Sequence, residues 1–375
     1  MNLFDICDIG GQSVKSFDGE KKYIATGDII NNEIISGEIV NYKSKPSRAN
    51  VEVGLGDVLF AKMMDTVKVL KVDELNKDFI YSTGFYCMTP KADILQDYLY
   101  LYFNSDSFNS QKNKNCSGAT QKAINNDGLS KIVIKSIPSV EEQKKIINKL
   151  SNINNLIKIK KEEIEKLNLL IKSQFVEMFG DPILNNKGWE KRKLFDECEI
   201  VTGNTPSRKV DEYYGNYIEW IKSDNINENR TYLSPAKECL SKKGLEVGRS
   251  VDKNCILMTC IAGSLKSIGN VGITDRRVSF NQQINGIIPK NNNVHFLYEL
   301  FILTKDYLHT PVNMSLKGIL SKNQLGSLEF IFPPIELQEK FGIIFNQIDK
   351  QKFEFESSLK KLEELQASLM QEYFG

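Results

Sequence analysis

Side chains that suit contacts with DNA are concentrated in polar loops of the second half of the chain. Residues 202–209 (TGNTPSRK) offer hydroxyl groups, an amide and two cations. In the major groove, arginine pairs well with guanine, and asparagine or glutamine pairs with adenine. These residue types predict a nucleic-acid contact. The candidates in this half are Asn204, Thr205, Ser207, Arg208, Lys209, Ser264, Lys266, Arg276, Arg277, Gln282, Gln283 and Lys317.

The first half of the chain carries a smaller set of similar residues. The candidates are Lys43, Lys45, Arg48, Lys112, Lys114, Thr120, Gln121 and Lys122. A solvated polar loop explains any single one of them equally well, whereas the clusters taken together favour DNA contact.

Charge is balanced along the chain, and the formal net charge is +1. Residues 1–135 carry 16 basic and 17 acidic side chains, and residues 183–332 carry 20 and 16. Binding to DNA must therefore depend on local basic patches, or on a partner that supplies most phosphate contacts.

No catalytic constellation is apparent. An adenine methyltransferase needs a glycine-rich cofactor loop and an Asn/Asp-Pro-Pro-aromatic loop, and neither is present. Residues 10–16 end in Lys-Ser but lack the second glycine of a P-loop, so a turn is predicted. Residues 262–272 are glycine-rich, yet no helical pattern follows them, which favours a loop near DNA. Asp18, Glu20 and Lys22 resemble a nuclease set only weakly, because nothing places them on a strand pair.

Cysteine and histidine usage argues against a metal centre. The seven cysteines form no C-x-x-C pair, and there are only two histidines, which fits reduced cytosolic thiols. No segment approaches the roughly 18 uninterrupted apolar residues of a membrane helix. The N-terminal MNLFDICDIG carries acids where a secretory signal is basic, so a cytoplasmic protein is expected. We expect no catalytic residue, metal or cofactor in this chain.

The elements that must position the candidate residues are duplicated. Residues 138–180 align with residues 333–375 at a constant offset of 195, without a gap. Each segment opens with proline, which suits a helix start, and glycine closes the first. Each predicts a helix of about 40 residues, or roughly 60 Å.

Both predicted helices carry an apolar seam at alternating three- and four-residue steps, interrupted by Lys160 in the first and Lys352 in the second. This spacing is typical of a coiled coil, and each helix must bury its seam. Its own copy is the simplest partner, and the chain between the helices allows an antiparallel pair. The residues predicted to pair are Leu150, Ile153, Ile157, Ile164, Leu167, Ile171, Phe345, Ile348, Phe355, Leu359 and Leu362.

Two globular regions precede the helices and repeat more weakly, with LFDICDI at residue 3 facing LFDECEI at residue 194. Residues 218–221, 256–260 and 270–274 predict strands, and residues 92–103 and 294–306 predict helices. The fold class is therefore α+β, with a pseudo-twofold internal repeat. The predicted order is a globular domain at 1–136, a helix at 137–180, a second domain at 181–332 and a helix at 333–375.

These features together resemble the specificity subunit of type I restriction–modification systems across essentially the whole chain. Each motif is weak alone, but their order and the duplication are specific. The first half departs from the family pattern, because it lacks the Trp-Glu entry and the Thr-Pro loop. The motifs are GWE at residue 188, GNTPSR at 203, WIKSD at 220, FNQQI at 280 and PPIELQ at 333.

The resemblance implies two target recognition domains that each bind one half of a split site in double-stranded DNA. The antiparallel helices would fix the spacer between the halves and dock two modification subunits. Those partners would carry S-adenosylmethionine and methylate adenine, and possible restriction subunits would use ATP and Mg²⁺ for cleavage. This chain would be non-catalytic. The competing hypotheses are a stand-alone DNA-binding protein or divergent nuclease, and a purely structural coiled-coil protein.

Overall fold

The computed structural model describes residues 1–227, 230–314 and 317–375. Two compact units are present. The first consists of Met1–Lys160 with Ser358–Gly375, and the second of Lys161–Ser357. Each unit therefore combines one strand-rich region with parts of both long helices. The four consecutive domain boundaries expected from the sequence stay a prediction.

The first unit is built from short strands followed by helices. Its helices are Gln96–Asn104, Asp106–Lys114 and Asn126–Ser130. Its strands are Cys7–Ile9, Lys21–Ile24, Ile29–Ile30, Glu33–Ile34, Glu38–Val40, Ala49–Val51, Val58–Ala61, Val69–Lys71, Ile80–Ser82 and Phe85–Pro90.

Two four-stranded sheets organise these strands. The first sheet is antiparallel, in the order Cys7–Ile9, Phe85–Pro90, Val58–Ala61, Val69–Lys71. The second has the order Glu38–Val40, Lys21–Ile24, Ile80–Ser82, Ala49–Val51, and its two central strands are parallel.

The second unit also combines short strands with short helices. Its helices are Leu194–Glu197, Lys242–Val247, Val294–Leu303, Lys305–His309 and Lys322–Ser327. Its strands are Lys191–Lys193, Cys198–Thr202, Tyr214–Gly215, Ile218–Ile221, Cys239–Leu240, Ser250–Val251, Ile256–Thr259, Ile261–Ala262, Val271–Ile273, Val278–Phe280, Ile284–Pro289, Gly318–Ile319 and Glu329–Ile331.

The two main sheets of the second unit repeat the strand order of the first unit, with one additional strand, Tyr214–Gly215, at the edge of the second sheet. One sheet runs Cys198–Thr202, Ile284–Pro289, Ile256–Thr259, Val271–Ile273, all antiparallel. The other runs Tyr214–Gly215, Cys239–Leu240, Ile218–Ile221, Val278–Phe280, Ser250–Val251, and again its Ile218–Ile221 and Val278–Phe280 strands are parallel. The prediction of two similar α+β domains is confirmed.

The central strands are apolar on both faces because each sheet separates two hydrophobic clusters. In Val58–Ala61, Phe60 packs with the helix side of the first unit, while Leu59 packs with the other sheet. In Ile256–Thr259, Met258 packs with the helix side of the second unit, while Leu257 packs with the other sheet. Successive side chains on a strand point to opposite faces, so a strand between two cores reads as a continuous apolar run.

Two 40-residue helices complete the fold and confirm the predicted pair of long helices. The first long helix is Val140–Phe179 and the second is Ile335–Phe374. Among the predicted seam residues, Leu150, Ile153, Ile157, Leu167, Ile171, Phe345 and Ile348 are buried, and Ile164, Phe355, Leu359 and Leu362 are half-buried.

Within each unit, the two long helices contact each other. In the first unit, Lys149 Nζ lies 3.2 Å from the Tyr373 hydroxyl oxygen, and Gln366 donates to Asn154. In the second unit, the Phe175 ring lies 5.4 Å from that of Phe341. The segments near the start of one helix thus meet segments near the end of the other.

A fully buried glutamine joins each long helix to its globular region. The Gln143 side chain accepts a hydrogen bond from Leu95 N at 2.9 Å and donates to Asp93 O at 2.8 Å and Pro138 O at 3.0 Å. Leu95 is the N-cap of the helix Gln96–Asn104. The amide therefore ties the start of the long helix to the start of a domain helix.

The same joint recurs in the second unit. Gln338 accepts from Asn293 N at 3.0 Å and donates to Asn292 Oδ1 at 2.9 Å and Pro333 O at 2.8 Å. Asn293 is the N-cap of Val294–Leu303. Gln143 and Gln338 match at the offset of 195. The two halves therefore share this hydrogen-bonded joint as well as the sequence pattern of the helices.

Replacing Gln338 by leucine is expected to destabilise the protein by at least about 2 kcal/mol, because buried donors and acceptors lose their partners. Gln351 is exposed on the same helix, and the matched Gln351→Leu change should stay within about 0.5 kcal/mol of the native chain. Urea unfolding of both variants measures the difference. Equal stability of the two variants would show that the joint contributes nothing.

Candidate nucleic-acid interface

Loops at one end of the main strands of the second unit form a continuous polar surface. We call it the second loop surface; it consists of residues 203–209, 261–266, 281–283 and 317–318. Gln283 O accepts from Cys260 N at 2.8 Å and from Ile261 N at 3.1 Å. The strand Ile261–Ala262 in turn pairs with Gly318–Ile319. Three of these four loops are thus joined through backbone hydrogen bonds.

Thr205 and Gln282 lie at the centre of this surface. The Thr205 hydroxyl donates to the Gln282 side-chain oxygen, and both residues are exposed. Asn204 is held more firmly, because its Nδ2 donates to Val247 O at 2.7 Å and its backbone N donates to Phe280 O at 3.1 Å. A hydroxyl and an amide are therefore presented to solvent on an anchored loop.

A glycine permits this loop to approach the strand end closely. A Cβ atom at Gly203 would collide with Asn281 O and stand 2.6 Å from Phe280 O. Any larger residue at 203 would push the 203–209 segment away from Gln282. The first position of the Gly-Asn-Thr-Pro motif thus has a steric explanation.

Arg208 is fixed between two aromatic rings. Its guanidinium lies 4.4 Å from the centroid of Tyr214 and 5.0 Å from that of Trp220. It also donates to Glu238 at 2.6 Å, and Lys222 bonds the other oxygen of that carboxylate. Hydrogen bonds from Lys222 and Arg208 lower the pKa of Glu238. The cation is therefore held in one place, with part of its surface exposed.

The remaining candidates of the second loop surface are exposed. Ser207 and Lys209 lie on the same loop as Arg208, Ser264 and Lys266 follow the strand Ile261–Ala262, and Lys317 precedes Gly318. The structure thus brings together ten of the twelve candidates of this half, since Gln283 contributes its backbone to the same place.

Arg276 and Arg277 lie apart from the second loop surface, and their role as DNA contacts stays a prediction. They precede the strand Val278–Phe280, whereas Gln282 follows it. Arg276 pairs with Glu219 and Asp275, and Arg277 bonds Ser250 Oγ at 3.1 Å. Both arginines therefore lie at the opposite end of the strand, where ion pairs and hydrogen bonds account for them.

The first unit has an equivalent surface, which we call the first loop surface: residues 46–49, 62–64, 82–84 and 117–123. Gly84 O accepts from Lys62 N at 2.9 Å, as Gln283 O accepts from Cys260 N. Met63 pairs with Ala123, as Ile261 pairs with Ile319. The loop with Thr120, Gln121 and Lys122 therefore occupies the place of the loop with Lys317.

The other candidates of the first half differ in availability. Arg48 is exposed, and its carbonyl accepts from Thr83 N at 2.9 Å, beside the 82–84 turn. Lys43 and Lys114 are also exposed. The Lys45 ammonium donates to Ala49 O at 2.7 Å and is half-buried. Arg48 thus belongs to the first loop surface, and Lys45 braces the loop before it.

Lys112 is wrongly assigned to DNA contact. Its side chain is buried, its Nζ donates to Thr66 O at 2.5 Å, and burial lowers its pKa. The sequence shows a lysine near a polar loop, but helix Asp106–Lys114 turns this position inward and Lys114 outward.

Sequence reasoning missed the segment that follows the first strand. Cys7 pairs with Pro90 as Cys198 pairs with Pro289, so residues 10–17 occupy the place of residues 201–208. Lys15 is exposed there. The alignment of the two LFD segments indicates this equivalence, but residues 10–17 lack the Thr-Pro motif that marks the loop in the second half.

Lys62 is a second residue that was missed. Its Nζ lies 4.2 Å from the Tyr86 ring centroid, and partial burial lowers its pKa. A lysine directly after a buried strand is common at the end of a strand, so the sequence does not mark Lys62 as a candidate contact.

No group of three His, Cys, Asp or Glu side chains that could hold a metal occurs in residues 1–227, 230–314 and 317–375. Burial raises the pKa of the Cys7 and Cys198 thiols to about 12, which keeps them from acting as thiolates. Over the same residues, no helix is both long enough and apolar enough to cross a membrane.

The sequence matches a known family over both halves. The family of the type I restriction modification DNA specificity domain matches residues 1–169 and again residues 186–367. The HindI specificity subunit of a type I restriction enzyme from Haemophilus influenzae is 24% identical over 355 residues, which cover 74% of this chain and 76% of the relative. The MjaIX specificity subunit from Methanocaldococcus jannaschii is 32% identical over 170 residues, covering 44% and 38%.

Solved structures share the fold. A chain from a study of complex assembly and conformational transition of the type I R-M system has a TM-score of 0.62 at 18% identity, covering 100% of this chain and 96% of its own. The type I restriction-modification S subunit from M. genitalium has a TM-score of 0.60 at 13% identity, covering 100% and 95%. The overall fold of this chain is thus shared with both proteins.

Replacing Gly203 by alanine is expected to lower stability by about 1–3 kcal/mol, because the new methyl group has no space. Gly263 lies on the same loop surface, and a Cβ there meets nothing within 4 Å. Gly263→Ala should therefore change stability by less than about 0.5 kcal/mol. Thermal unfolding of the two variants compares them, and equal midpoints would contradict the close approach at Gly203.

Proposed function

This chain belongs to the type I restriction modification DNA specificity family, and from that membership we propose how its two units divide the recognition of DNA. It is a specificity subunit that recognises a DNA target. We propose that each unit binds one half of a bipartite site. The observation that carries this proposal is the repetition of one strand order and one loop surface in both units.

The side chains of the second loop surface suit direct contacts with DNA bases. The second presents Thr205, Gln282 and the ring-held Arg208. Glutamine matches the N6 and N7 groups of adenine, and arginine matches O6 and N7 of guanine. The exposed lysines around them suit phosphate oxygens, which set position without reading sequence.

The long helices are proposed to form an antiparallel coiled coil that sets the spacing of the two half-sites. Support comes from the contacts Lys149–Tyr373 and Asn154–Gln366 in the first unit and Phe175–Phe341 in the second. A residue early in one helix meets a residue late in the other in each case. When two units each recognise a short half-site and are held at a fixed separation, their selectivities for DNA multiply.

Modification subunits are proposed to dock on the exposed apolar positions of the helices. Leu170 and Leu365 are both exposed and match at the offset of 195. An exposed leucine repeated in both halves suits two copies of one protein partner. The partners would supply S-adenosylmethionine-dependent adenine methylation, and restriction subunits would supply ATP- and Mg²⁺-dependent cleavage. Lysine and arginine side chains of these partner subunits would also contact DNA phosphates, since this chain has a net charge of only +1.

Replacing Gln282 by alanine is expected to relax discrimination in one half-site and leave the other unchanged. Loss of a base contact costs about 1–3 kcal/mol of discrimination at that position. The measurement is binding of the chain with its modification partner to duplexes permuted at each base pair. Arg277→Ala is the control, because that exposed arginine lies at the far end of the strand. Uniform weakening on all duplexes would show that Gln282 does not read a base.

Replacing Leu170 or Leu365 by aspartate is expected to remove one modification subunit each, and the double variant should bind none. A charge in the centre of an apolar contact prevents its burial. Sedimentation of the mixed subunits measures the stoichiometry. Leu75 is more exposed than either residue and lies in a loop of the first unit, so Leu75→Asp should bind the partner normally. Unchanged stoichiometry in the double variant would place the docking site elsewhere.

A further inference from the structure

Charged residues occupy an internal packing position of the second unit. Glu299, on the domain helix Val294–Leu303, is 5% exposed, and Lys352, on the second long helix, is 8% exposed. Burial raises the pKa of Glu299 to about 7, while the charges of Lys172 and Lys352 act to lower it. The helix Val294–Leu303 packs on the second long helix, with the Tyr298 ring 5.9 Å from that of Phe345. Glu299 and Lys352 are thus both buried where these two helices meet.

The equivalent position of the first unit is apolar. Lys352 matches Ile157 and Lys172 matches Ala367 at the offset of 195. Glu299 is the sixth residue after the N-cap Asn293, and Leu101 is the sixth after the N-cap Leu95. Leu101 and Ile157 are 7% and 8% exposed, so they are as deeply buried as the charged pair.

Both members of the pair thus differ together between the two repeats. A buried lysine facing leucine would have no neutralising carboxylate, and a buried glutamate facing isoleucine would have no cation. Either mixed combination leaves a charge in an apolar environment, which is strongly unfavourable. The two matched combinations avoid that cost.

We propose that Lys352 makes the second long helix selective for a domain that carries a carboxylate at the position of Glu299. We call the surface of the second long helix around Lys352 the second docking surface. The recognition domain that packs on it carries an acidic residue six positions after the N-cap of its main helix. A domain of the first type, with leucine there, fits only the surface around Ile157.

The test is the thermal unfolding of three full-length variants at pH 8, a pH above the pKa of Glu299. Glu299→Leu places the residue of the first domain on the second docking surface and should lower the unfolding midpoint by roughly 5 °C or more. Lys352→Ile should lower it less, because the buried carboxyl can take up a proton. The double variant E299L/K352I reproduces the apolar pair of the first unit and should recover the native midpoint to within about 2 °C.

The reciprocal change in the first unit provides an independent arm. Leu101→Glu should lower the midpoint, and adding Ile157→Lys should restore part of the loss. Glu354→Leu is the matched control, since Glu354 is exposed on the same helix as Lys352, and it should leave the midpoint unchanged.

The proposal is overturned if E299L unfolds with the native midpoint, or if E299L/K352I is no more stable than E299L. Where E299L gives no folded protein, recovery of folded protein in the double variant supports the proposal, and failure of the double variant overturns it. These outcomes concern folding alone. They are therefore separate from the DNA target, which a change in methylated sequence would report.

Discussion

The joint between each globular region and its long helix is the constraint on which the rest of the structure depends. Gln143 and Gln338 each make three hydrogen bonds in full burial, and each bonds the backbone N–H of a domain helix N-cap. Because a buried amide is costly when any partner is lost, these bonds fix the start of the long helix against the domain. A reading surface can face a defined direction only if that joint is rigid.

A rigid scaffold leaves the loops free to differ. The strand order is the same in both units, yet the loop after the first strand exposes Lys15 in one unit and Thr205 and Arg208 in the other. The exposed ends of the strands carry no packing requirement, so their side chains can change without loss of the core. Exposed loop residues can thus differ between the two units while the buried core is kept.

The sequence predicted the long helices and the repeat well because both depend on local periodicity. The ends of Val140–Phe179 and Ile335–Phe374 lie within three residues of the predicted segments. The candidate contacts were less predictable, because side-chain direction depends on tertiary packing. Lys112 points inward, and Arg276 is held by Glu219. The positions of Lys15 and Lys62 follow from the register of the paired strands. That register cannot be predicted from short strands whose sequences repeat only weakly.

The most direct test of the account is to shorten both helices together. Removing residues 158–164 and 353–359 deletes seven matched residues from each, and methylome sequencing of a host carrying this variant then reports the target. The account predicts the two native half-sites with a spacer shorter by about three base pairs, since seven helical residues span roughly 10 Å. Altered half-site bases, or native half-sites at the native spacing, would contradict it.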